Sequence, residues 1–369
     1  MKGSDLGELE KKVRSGERLS KEEALSLFEL DDIFFLGKLA REVKERKSGN
    51  YAYFNVNRHI NLTNVCVSGC RFCAFSKDKG DPGSYTMSIE EVLKSAESAR
   101  DLGITELHIV SGLHPDLPLD YYLGVIKRLK EAMPDVHIQA FTAVEIAYFS
   151  KISGLPVKEV LLRLKGVGLG SLPGGGAEIL DSRVRKTICP KKCTADEWLE
   201  VMRTAHSIGL KSNATMLYGH IETLEERIDH LFRLRELQDE TGGFQSFVPL
   251  PFHPKNTEFE EVRMVTALEN LRMLAVSRIV LDNFPHIKAF WIMLGLKVAQ
   301  ISLHFGVDDL DGTVVEEKIT HAAGAETDQA IAKDELIGLI RETGRTPIER
   351  DTLYNTIRIY ENGEEGVMD

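Results

Sequence analysis

The sequence predicts an α/β fold: a (β/α)8 barrel of the TIM type, with N-terminal helices before it and a helical C-terminal tail after it. Short β-like stretches alternate with helical periodicities eight times between residues 51 and 305. Parallel strands need crossover connections, so this alternation is typical of a parallel barrel. Turn-forming and polar residues also recur after the strand stretches, where barrel enzymes carry their active sites.

We expect a single domain in three parts, which are residues 1–50, 51–326 and 327–369. The first part is a helical extension packed on the barrel; Ser20-Lys-Glu-Glu23 within it has the spacing of a capping box. It either covers the barrel or serves as an arm that binds a partner. The second part is the barrel itself, and the third is the helical tail.

The eight predicted strands occupy residues 51–61, 106–110, 136–141, 169–172, 211–217, 244–250, 287–292 and 302–305. Helices are predicted between them, and the one that begins near Ser88 starts with a second capping-box pattern. The fourth and eighth strands are the shortest, so they have the weakest periodicity.

The composition excludes several classes of protein. A net charge of −11 argues against a nucleic-acid partner, because such binding depends on cations that neutralise phosphates. The basic residues between 183 and 192 are available only to a small anion. No apolar run approaches the roughly 20 residues that span a bilayer, so no membrane partner is expected. The charged amino terminus is not a signal peptide, which predicts a cytoplasmic location.

The most informative motif is Cys66-Val-Ser-Gly-Cys70-Arg-Phe-Cys73, whose spacing lets three thiolates converge on one small site. Three thiolates are one short of the closed set of a structural zinc or an ordinary iron–sulfur cluster. One metal position is then open to a substrate or cofactor. Cys189 and Cys193 lack further ligands nearby and are interpreted as ordinary thiols.

Two other interpretations of the motif stay open at this point. A structural zinc would be completed by His59 or His114, and a cluster used only for electron transfer would need a fourth cysteine within reach. Neither explains why polar and glycine residues follow so many of the strands.

Candidate ligand-binding residues follow the second to sixth strands. The glycine run after the fourth strand suits close approach of the backbone to a ligand, with the N–H groups of the next helix beside it. Glu145 and Glu178 are candidates for hydroxyl or ammonium contacts. His253, between two prolines, either moves a proton, binds a carboxylate or makes a structural hydrogen bond.

The cysteine motif, with an aromatic residue before its last cysteine, resembles the signature of the radical S-adenosylmethionine (SAM) superfamily. Segments from residue 57 to 257 most resemble the aminofutalosine synthase family of menaquinone biosynthesis. These segments are Asn57-Arg-His-Ile-Asn-Leu-Thr-Asn-Val-Cys66, Ala140-Phe-Thr-Ala-Val-Glu-Ile146, Ser171-Leu-Pro-Gly-Gly-Gly-Ala-Glu-Ile179, Asn213-Ala-Thr-Met-Leu-Tyr-Gly-His-Ile-Glu-Thr223 and Phe247-Val-Pro-Leu-Pro-Phe-His-Pro-Lys-Asn-Thr257. One departure is Ser68-Gly69, where bulkier residues are expected.

The resemblance implies a reaction. A 4Fe–4S cluster on three cysteines reduces SAM, a co-substrate bound to the fourth iron, and releases a 5′-deoxyadenosyl radical. The radical adds to 3-[(1-carboxyvinyl)oxy]benzoate, and rearrangement with loss of a carboxylate gives aminofutalosine. An electron donor such as flavodoxin or ferredoxin is implied. The alternative within the superfamily is dehypoxanthine futalosine cyclase.

The resemblance also implies roles for individual residues. The cluster ligands are Cys66, Cys70 and Cys73. The residues that bind SAM are Phe72, Ser111, Gly112, Thr142, Glu145, Gly175 and Glu178. Catalytic or substrate contacts are expected from His253, Asn213 and Arg58.

Overall fold

The computed structural model describes residues 3–361 and consists of a ring of mainly parallel strands surrounded by helices. The strands are β1 (Tyr51–Asn55), β2 (Asn57–Ile60), β3 (Glu106–Ile109), β4 (His137–Ala140), β5 (Ser171–Leu172), β6 (Lys211–Tyr218), β7 (Phe244–Pro251), β8 (His286–Ile287), β9 (Asp309–Gly312), β10 (Thr346–Arg350) and β11 (Thr356–Ile359). The helices are α1 (Gly3–Ser15), α2 (Lys21–Phe28), α3 (Ile33–Ser48), α4 (Ile89–Glu97), α5 (Leu119–Ala132), α6 (Ala143–Ser153), α7 (Val157–Gly166), α8 (Ser182–Ile188), α9 (Ala195–Ser207), α10 (Leu224–Thr241), α11 (Ala267–Val280), α12 (Trp291–Leu294), α13 (Leu296–Ser302), α14 (Ile319–Ala322) and α15 (Lys333–Glu342).

The strands form a parallel barrel. β2 to β8 pair in sequence order, each parallel to the next. Beyond β8, Lys288 bridges in parallel to Asp309 of β9. β9 pairs in parallel with β1, which continues into β2 after Val56. Counting β1 and β2 as one interrupted strand gives eight barrel strands, so the predicted barrel class is confirmed.

The closing strand is not where the sequence placed it. Residues 302–305 were predicted as the eighth strand, but α13 ends at Ser302 and a turn follows. The strand that closes the barrel is β9, which contains two aspartates and so has little strand character in its sequence. Leu303 and Phe305 are apolar because they are buried under the barrel wall, and a short apolar run does not distinguish a strand from a buried helix end.

The seventh strand is also shorter than predicted. The prediction spans residues 287–292, whereas β8 covers only His286–Ile287 and α12 begins at Trp291. Lys288 lies directly after β8 and Phe290 directly before α12, so these two residues belong to the connection after the strand.

The C-terminal segment contains strands as well as a helix. β10 pairs in parallel with β1, from Tyr51 opposite Thr346 to Phe54 opposite Glu349, and β11 pairs antiparallel with β10. A tail that is helical throughout is therefore not observed. The outer edge of β1 is open to a further strand, and pairing with it satisfies backbone groups that an edge would expose. Residues 362–369 of the predicted tail lie outside the described residues.

The N-terminal helices pack on the outside of the barrel. α3 lies against α11, and α2 lies against α10 and α11. Gly37 of α3 lets this helix pack against Phe305, which follows α13, because a Cβ at Gly37 would stand 2.6 Å from the Phe305 ring. The capping boxes predicted at Ser20 and Ser88 are both present. Within residues 3–361 no helix is both long and apolar enough to cross a membrane.

Three carboxylates at β9, which we call the β9 carboxylates, pair with cations from three other elements. Arg278 of α11 donates to Asp308 at 2.8 Å, Arg350 of β10 to Asp309 at 2.6 Å, and Lys288 to Asp311 at 2.7 Å. Burial alone would raise the pKa of the Asp308 carboxyl, but Arg278 and the neighbouring His286 imidazole hold that pKa below its usual value. The closing strand is thus fixed to its neighbours by buried ion pairs.

Replacing Arg278 by Met should destabilise the protein strongly, because Asp308 would remain fully buried without its cation. We expect a loss of about 3–5 kcal/mol in the free energy of unfolding, measured by urea denaturation. The matched control is Arg163→Met, which breaks an exposed pair with Glu159 on α7. That change should cost only about 0.3–0.5 kcal/mol. Similar losses in both variants would contradict a special role for the buried pair.

Candidate functional site

A cavity of about 340 Å³ lies at the carboxyl ends of the barrel strands. Its walls come from the connections that follow the strands, as expected for a barrel enzyme. All of the predicted site residues except Arg58 line it. They are Cys66, Cys70, Phe72, Cys73, Ser111, Gly112, Thr142, Glu145, Gly175, Glu178, Asn213 and His253.

The cysteine loop crosses the mouth of the barrel and is held by backbone hydrogen bonds. The Cys66 N–H donates to the Lys77 carbonyl within the same connection at 3.1 Å, and the Arg71 N–H donates to the Ile188 carbonyl of α8 at 2.9 Å. Gly69 adopts a left-handed conformation with φ of 53°, which only glycine takes at little cost. The glycine between the first two cysteines, which departs from the expected pattern, therefore supplies a turn that this loop needs.

The three thiols share one cavity but are not arranged as a completed metal site. Across residues 3–361 no three thiol, imidazole or carboxylate groups stand together in a metal-binding arrangement. Burial raises the pKa of the Cys70 thiol to about 12 and also raises that of Cys73. Thiolate ligation would therefore release protons when a metal binds.

The connection after β3 lies directly against the cysteine loop. A Cβ at Gly112 would stand 2.4 Å from the Val65 carbonyl oxygen and 3.1 Å from Cys66 Cβ, so no side chain fits there. The Ser111 N–H donates to Glu145 Oε1 at 3.0 Å. Ser111 and Gly112 thereby connect the cysteine loop to the start of α6.

Thr142 and Glu145 form a capping box at the start of α6. The Thr142 N–H and hydroxyl donate to Glu145 Oε2 at 2.7 and 2.8 Å, and the Glu145 N–H donates back to the Thr142 hydroxyl. Burial raises the pKa of the Glu145 carboxyl to about 7, although these donors and that of Ser111 favour its ionised form. The capping bonds give Glu145 a structural role at the start of α6, and its carboxyl group also lines the cavity.

The glycine run after β5 lies close to the neighbouring strand. A Cβ at Gly174 would stand 2.6 Å from the backbone of Ala214, and Trp198 Nε1 donates to the Gly175 carbonyl at 3.2 Å. We expected the N–H groups at the start of the next helix to be available to a ligand, but those of Arg183 and Val184 donate to the Asp181 side chain. The run instead places its own backbone along the cavity wall.

Glu178 and Lys192 form an ion pair at the edge of the cysteine loop, and both line the cavity. The Lys192 ammonium also lies 5.0 Å from the centre of the Phe72 ring. The charges of Lys192 and Glu178 therefore compensate each other. The sequence had indicated Lys192 only as one of several basic residues that a small anion could meet.

Asn213 and His253 line the cavity, and some of their hydrogen-bonding atoms already have partners within the protein. Asn213 accepts a hydrogen bond from Ser246 Oγ at 2.8 Å and lies 3.4 Å from Gln139. His253 Nε2 lies 2.9 Å from the Met293 carbonyl oxygen. A carbonyl only accepts, so this contact places a proton on Nε2 and leaves Nδ1 as the acceptor of a neutral ring.

Arg58 is not brought to the cavity, so the expected substrate contact at Arg58 is corrected. Its guanidinium donates to Ser95 Oγ of α4 at 3.1 Å and pairs with Glu316. Successive side chains of a strand face opposite sides, so Arg58 faces outward while its neighbour His59 faces the cavity. The alternation was visible in the sequence, but the side that faces inward was not.

Several cavity residues were not predicted, of which Lys288, His108, Gln139 and Phe290 are examples. His59 had been considered only as a zinc ligand. Lys288 and Phe290 fall within the predicted seventh strand, which is too long, so the sequence places them in the barrel wall. A shorter strand ending before Lys288 would have placed both in the active-site connection.

Substitution of each cysteine should separate the cluster ligands from the other thiols. We expect Cys70→Ala to lose most of its iron after anaerobic reconstitution, because one of three ligands is removed. Cys189→Ala and Cys193→Ala are the matched controls, since neither residue lines the cavity, and they should keep about four irons per chain as expected for a 4Fe–4S cluster. Iron and sulfide analysis measures this. A Cys70 variant with wild-type iron content would contradict the ligand set.

Comparison with known proteins gives consistent relationships. A model of the radical SAM superfamily matches residues 60–234, and one of the CofH/MqnC C-terminal region matches residues 241–363. The chain is 48% identical over 357 residues to an aminodeoxyfutalosine synthase of Thermus thermophilus, covering 96% of each protein. It is 45% identical over 344 residues to a 5-amino-6-(D-ribitylamino)uracil–L-tyrosine 4-hydroxyphenyl transferase 1 of Methanosarcina mazei, covering 91% of this chain and 90% of that one.

A solved structure agrees with the fold. Methylornithine synthase (PylB) superposes with a TM-score of 0.74 at 17% identity, covering 92% of this chain and 97% of that one. At that identity the likeness concerns the fold alone. The sequence matches, with the three cysteines at the mouth of the barrel, confirm the resemblance seen in the motifs: this chain is an enzyme that belongs to the radical SAM superfamily.

Proposed function

We propose that this enzyme is an aminodeoxyfutalosine synthase that joins the 5′-deoxyadenosyl group of SAM to 3-[(1-carboxyvinyl)oxy]benzoate in menaquinone biosynthesis. The observation that carries the proposal is the 48% identity to a protein of that name over 96% of both chains. The cavity supports it, because thiols, aromatic rings and cationic side chains line the same space.

As a radical SAM enzyme, the chain uses a 4Fe–4S cluster and SAM, and the donor groups that line its cavity have the chemistry that both require. Cys66, Cys70 and Cys73 would hold the cluster. The Ser68 hydroxyl, on a residue only 2% exposed, lines the same cavity and has no hydrogen-bond partner within residues 3–361. Buried polar atoms without partners are rare, and a bound group would supply one. When bound, the cluster supplies the electron that breaks a carbon–sulfur bond of SAM.

The chain's own residues would position SAM along one side of the cavity. Gly175 and Gly112 have no side chain, so SAM can approach their backbone closely. Ser111 belongs to the same turn as Gly112. Thr142, Glu145 and Glu178 present polar groups to the ribose and amino ends. Phe72, beside Lys192, offers an aromatic face to the adenine. These roles are proposed from position and chemistry.

On the substrate side, the residues would orient the benzoate and exclude water. His253, with Nδ1 as an acceptor, and the buried Asn213 amide are proposed to contact the substrate. A cavity at the barrel mouth, once SAM and the substrate fill it, shields a reactive carbon centre from solvent and holds it near one partner atom. The reaction would occur in the cytoplasm, with a flavodoxin- or ferredoxin-type protein as electron donor.

The test is turnover under anaerobic conditions. The reconstituted enzyme is supplied with dithionite, SAM and 3-[(1-carboxyvinyl)oxy]benzoate, and products are identified by mass spectrometry. We expect aminodeoxyfutalosine, with consumption of one SAM per product.

Two other substrate sets serve as controls, each in a parallel reaction. L-Tyrosine with 5-amino-6-(D-ribitylamino)uracil tests the activity named for the methanogen relative, and dehypoxanthine futalosine tests the cyclase. Neither should be converted. Conversion of either control, with the enolpyruvyl benzoate left intact, would overturn the substrate assignment while keeping the superfamily.

A further inference from the structure

Two lysines line the cavity, and they occupy different parts of it. Lys192 pairs with Glu178 beside the cysteine loop, whereas Lys288 lies directly after β8. Lys288 is 6% exposed and donates to Asp311 Oδ1 at 2.7 Å. Within residues 3–361 that carboxylate is the single hydrogen-bond partner of the Lys288 ammonium. An ammonium has three N–H donors, so the Lys288 ammonium has donors left for a ligand.

Lys288 differs from the other cations that pair with the β9 carboxylates. Arg278 and Arg350 are fully buried and do not line the cavity, so their pairs serve the barrel wall. Lys288 and Asp311 both line it. A purely structural pair would gain nothing from facing the ligand space, where water or a ligand competes for both charges.

His59 provides a second, independent observation. Its side chain lines the cavity, the residue is 8% exposed, and Nε2 is buried without a hydrogen-bond partner in the described part of the chain. The ring is held in place by stacking, with 4.4 Å between its centre and that of His108 and 6.4 Å to that of Phe290. A fixed, buried and unpartnered imidazole nitrogen indicates a missing ligand atom.

The barrel brings these groups together. Lys288 follows β8, Asp311 belongs to β9 and His59 to β2, and these are consecutive barrel strands of the closed ring. Phe290, two residues after Lys288, lies parallel to the His59 ring with an angle of 4° between the planes. One wall of the cavity therefore combines a cation, an unpartnered imidazole nitrogen and an aromatic face.

We propose that Lys288 and His59 form the binding site for a carboxylate of the substrate, with Phe290 against its aromatic ring. The proposal rests on the proposed function, whose substrate carries two carboxylates on an aryl ether. Lys288 supplies the charge, His59 Nε2–H supplies a second hydrogen bond, and Asp311 holds the ammonium in place. Lys192 lies beside the cysteine loop, against Glu178 and the Phe72 ring, so Lys288 is the cation on this wall of the cavity.

Calorimetry tests the site by measuring the Kd of three compounds. The enzyme carries its oxidised cluster, and SAM is present. The compounds are the full substrate, 3-(vinyloxy)benzoate, which lacks the acrylate carboxylate, and 2-phenoxyacrylate, which lacks the ring carboxylate. In the wild type, loss of the recognised carboxylate should raise Kd about 10- to 100-fold, as for loss of a charged hydrogen bond. The analogue that shows this loss identifies the carboxylate.

Lys288→Met should bind the full substrate about 10- to 100-fold more weakly and no longer distinguish it from that analogue. Lys288→Arg should restore part of the discrimination, and His59→Phe should reduce it while keeping the stacking. Lys297→Met, at an exposed position outside the cavity, is the matched control and should behave as wild type. If Lys288→Met does not fold, Lys288→Gln combined with Asp311→Asn removes the charge without leaving a buried carboxylate unpaired.

The outcomes separate the two proposals. A Lys288 variant that discriminates between the compounds as the wild type does would overturn the carboxylate site alone. A wild-type enzyme that binds none of the three compounds would overturn the proposed function and this site with it.

Discussion

The buried ion pairs of the β9 carboxylates are the constraint on which the rest of the structure depends. Asp308 and Asp309 join β9 to α11 and β10, through Arg278 and Arg350, and so hold a short polar strand in the wall of the barrel. An unpaired buried charge is strongly destabilising, so a misplaced β9 that separates these pairs would be less stable. Without β9, β8 would not connect to β1, and the strand ends would not enclose one cavity.

The closed barrel sets where the chemistry takes place. The cysteine loop after β2 reaches across the mouth, where Arg71 accepts a backbone hydrogen bond from Glu258 and bonds its carboxylate at 2.8 Å. The loop therefore forms part of the cover over the cavity. The thiols lie on one side, and Lys288 and His59 line the wall made by β8, β9 and β2. SAM and an anionic substrate would then meet inside one cavity.

The sequence predicted the parts of the site that depend on local pattern. The cysteine motif, the glycine run and the capping boxes at Ser20 and Ser88 all appear where expected, because each requires only neighbouring residues. Features that depend on pairing across the barrel were missed. The inward face of β2 decides that His59 and not Arg58 reaches the cavity, and the identity of the closing strand depends on cations from α11 and β10. Neither can be read from a single stretch of residues.

The most direct test of the open cluster position is electron paramagnetic resonance of the reduced, reconstituted enzyme with and without SAM. Three cysteine ligands leave one iron free, so SAM bound there should change the g-values of the reduced cluster. The wild type should show this change, and the Cys189→Ala and Cys193→Ala variants should show it equally. A spectrum that saturating SAM leaves unchanged would contradict a cluster held by Cys66, Cys70 and Cys73 with SAM as its fourth ligand.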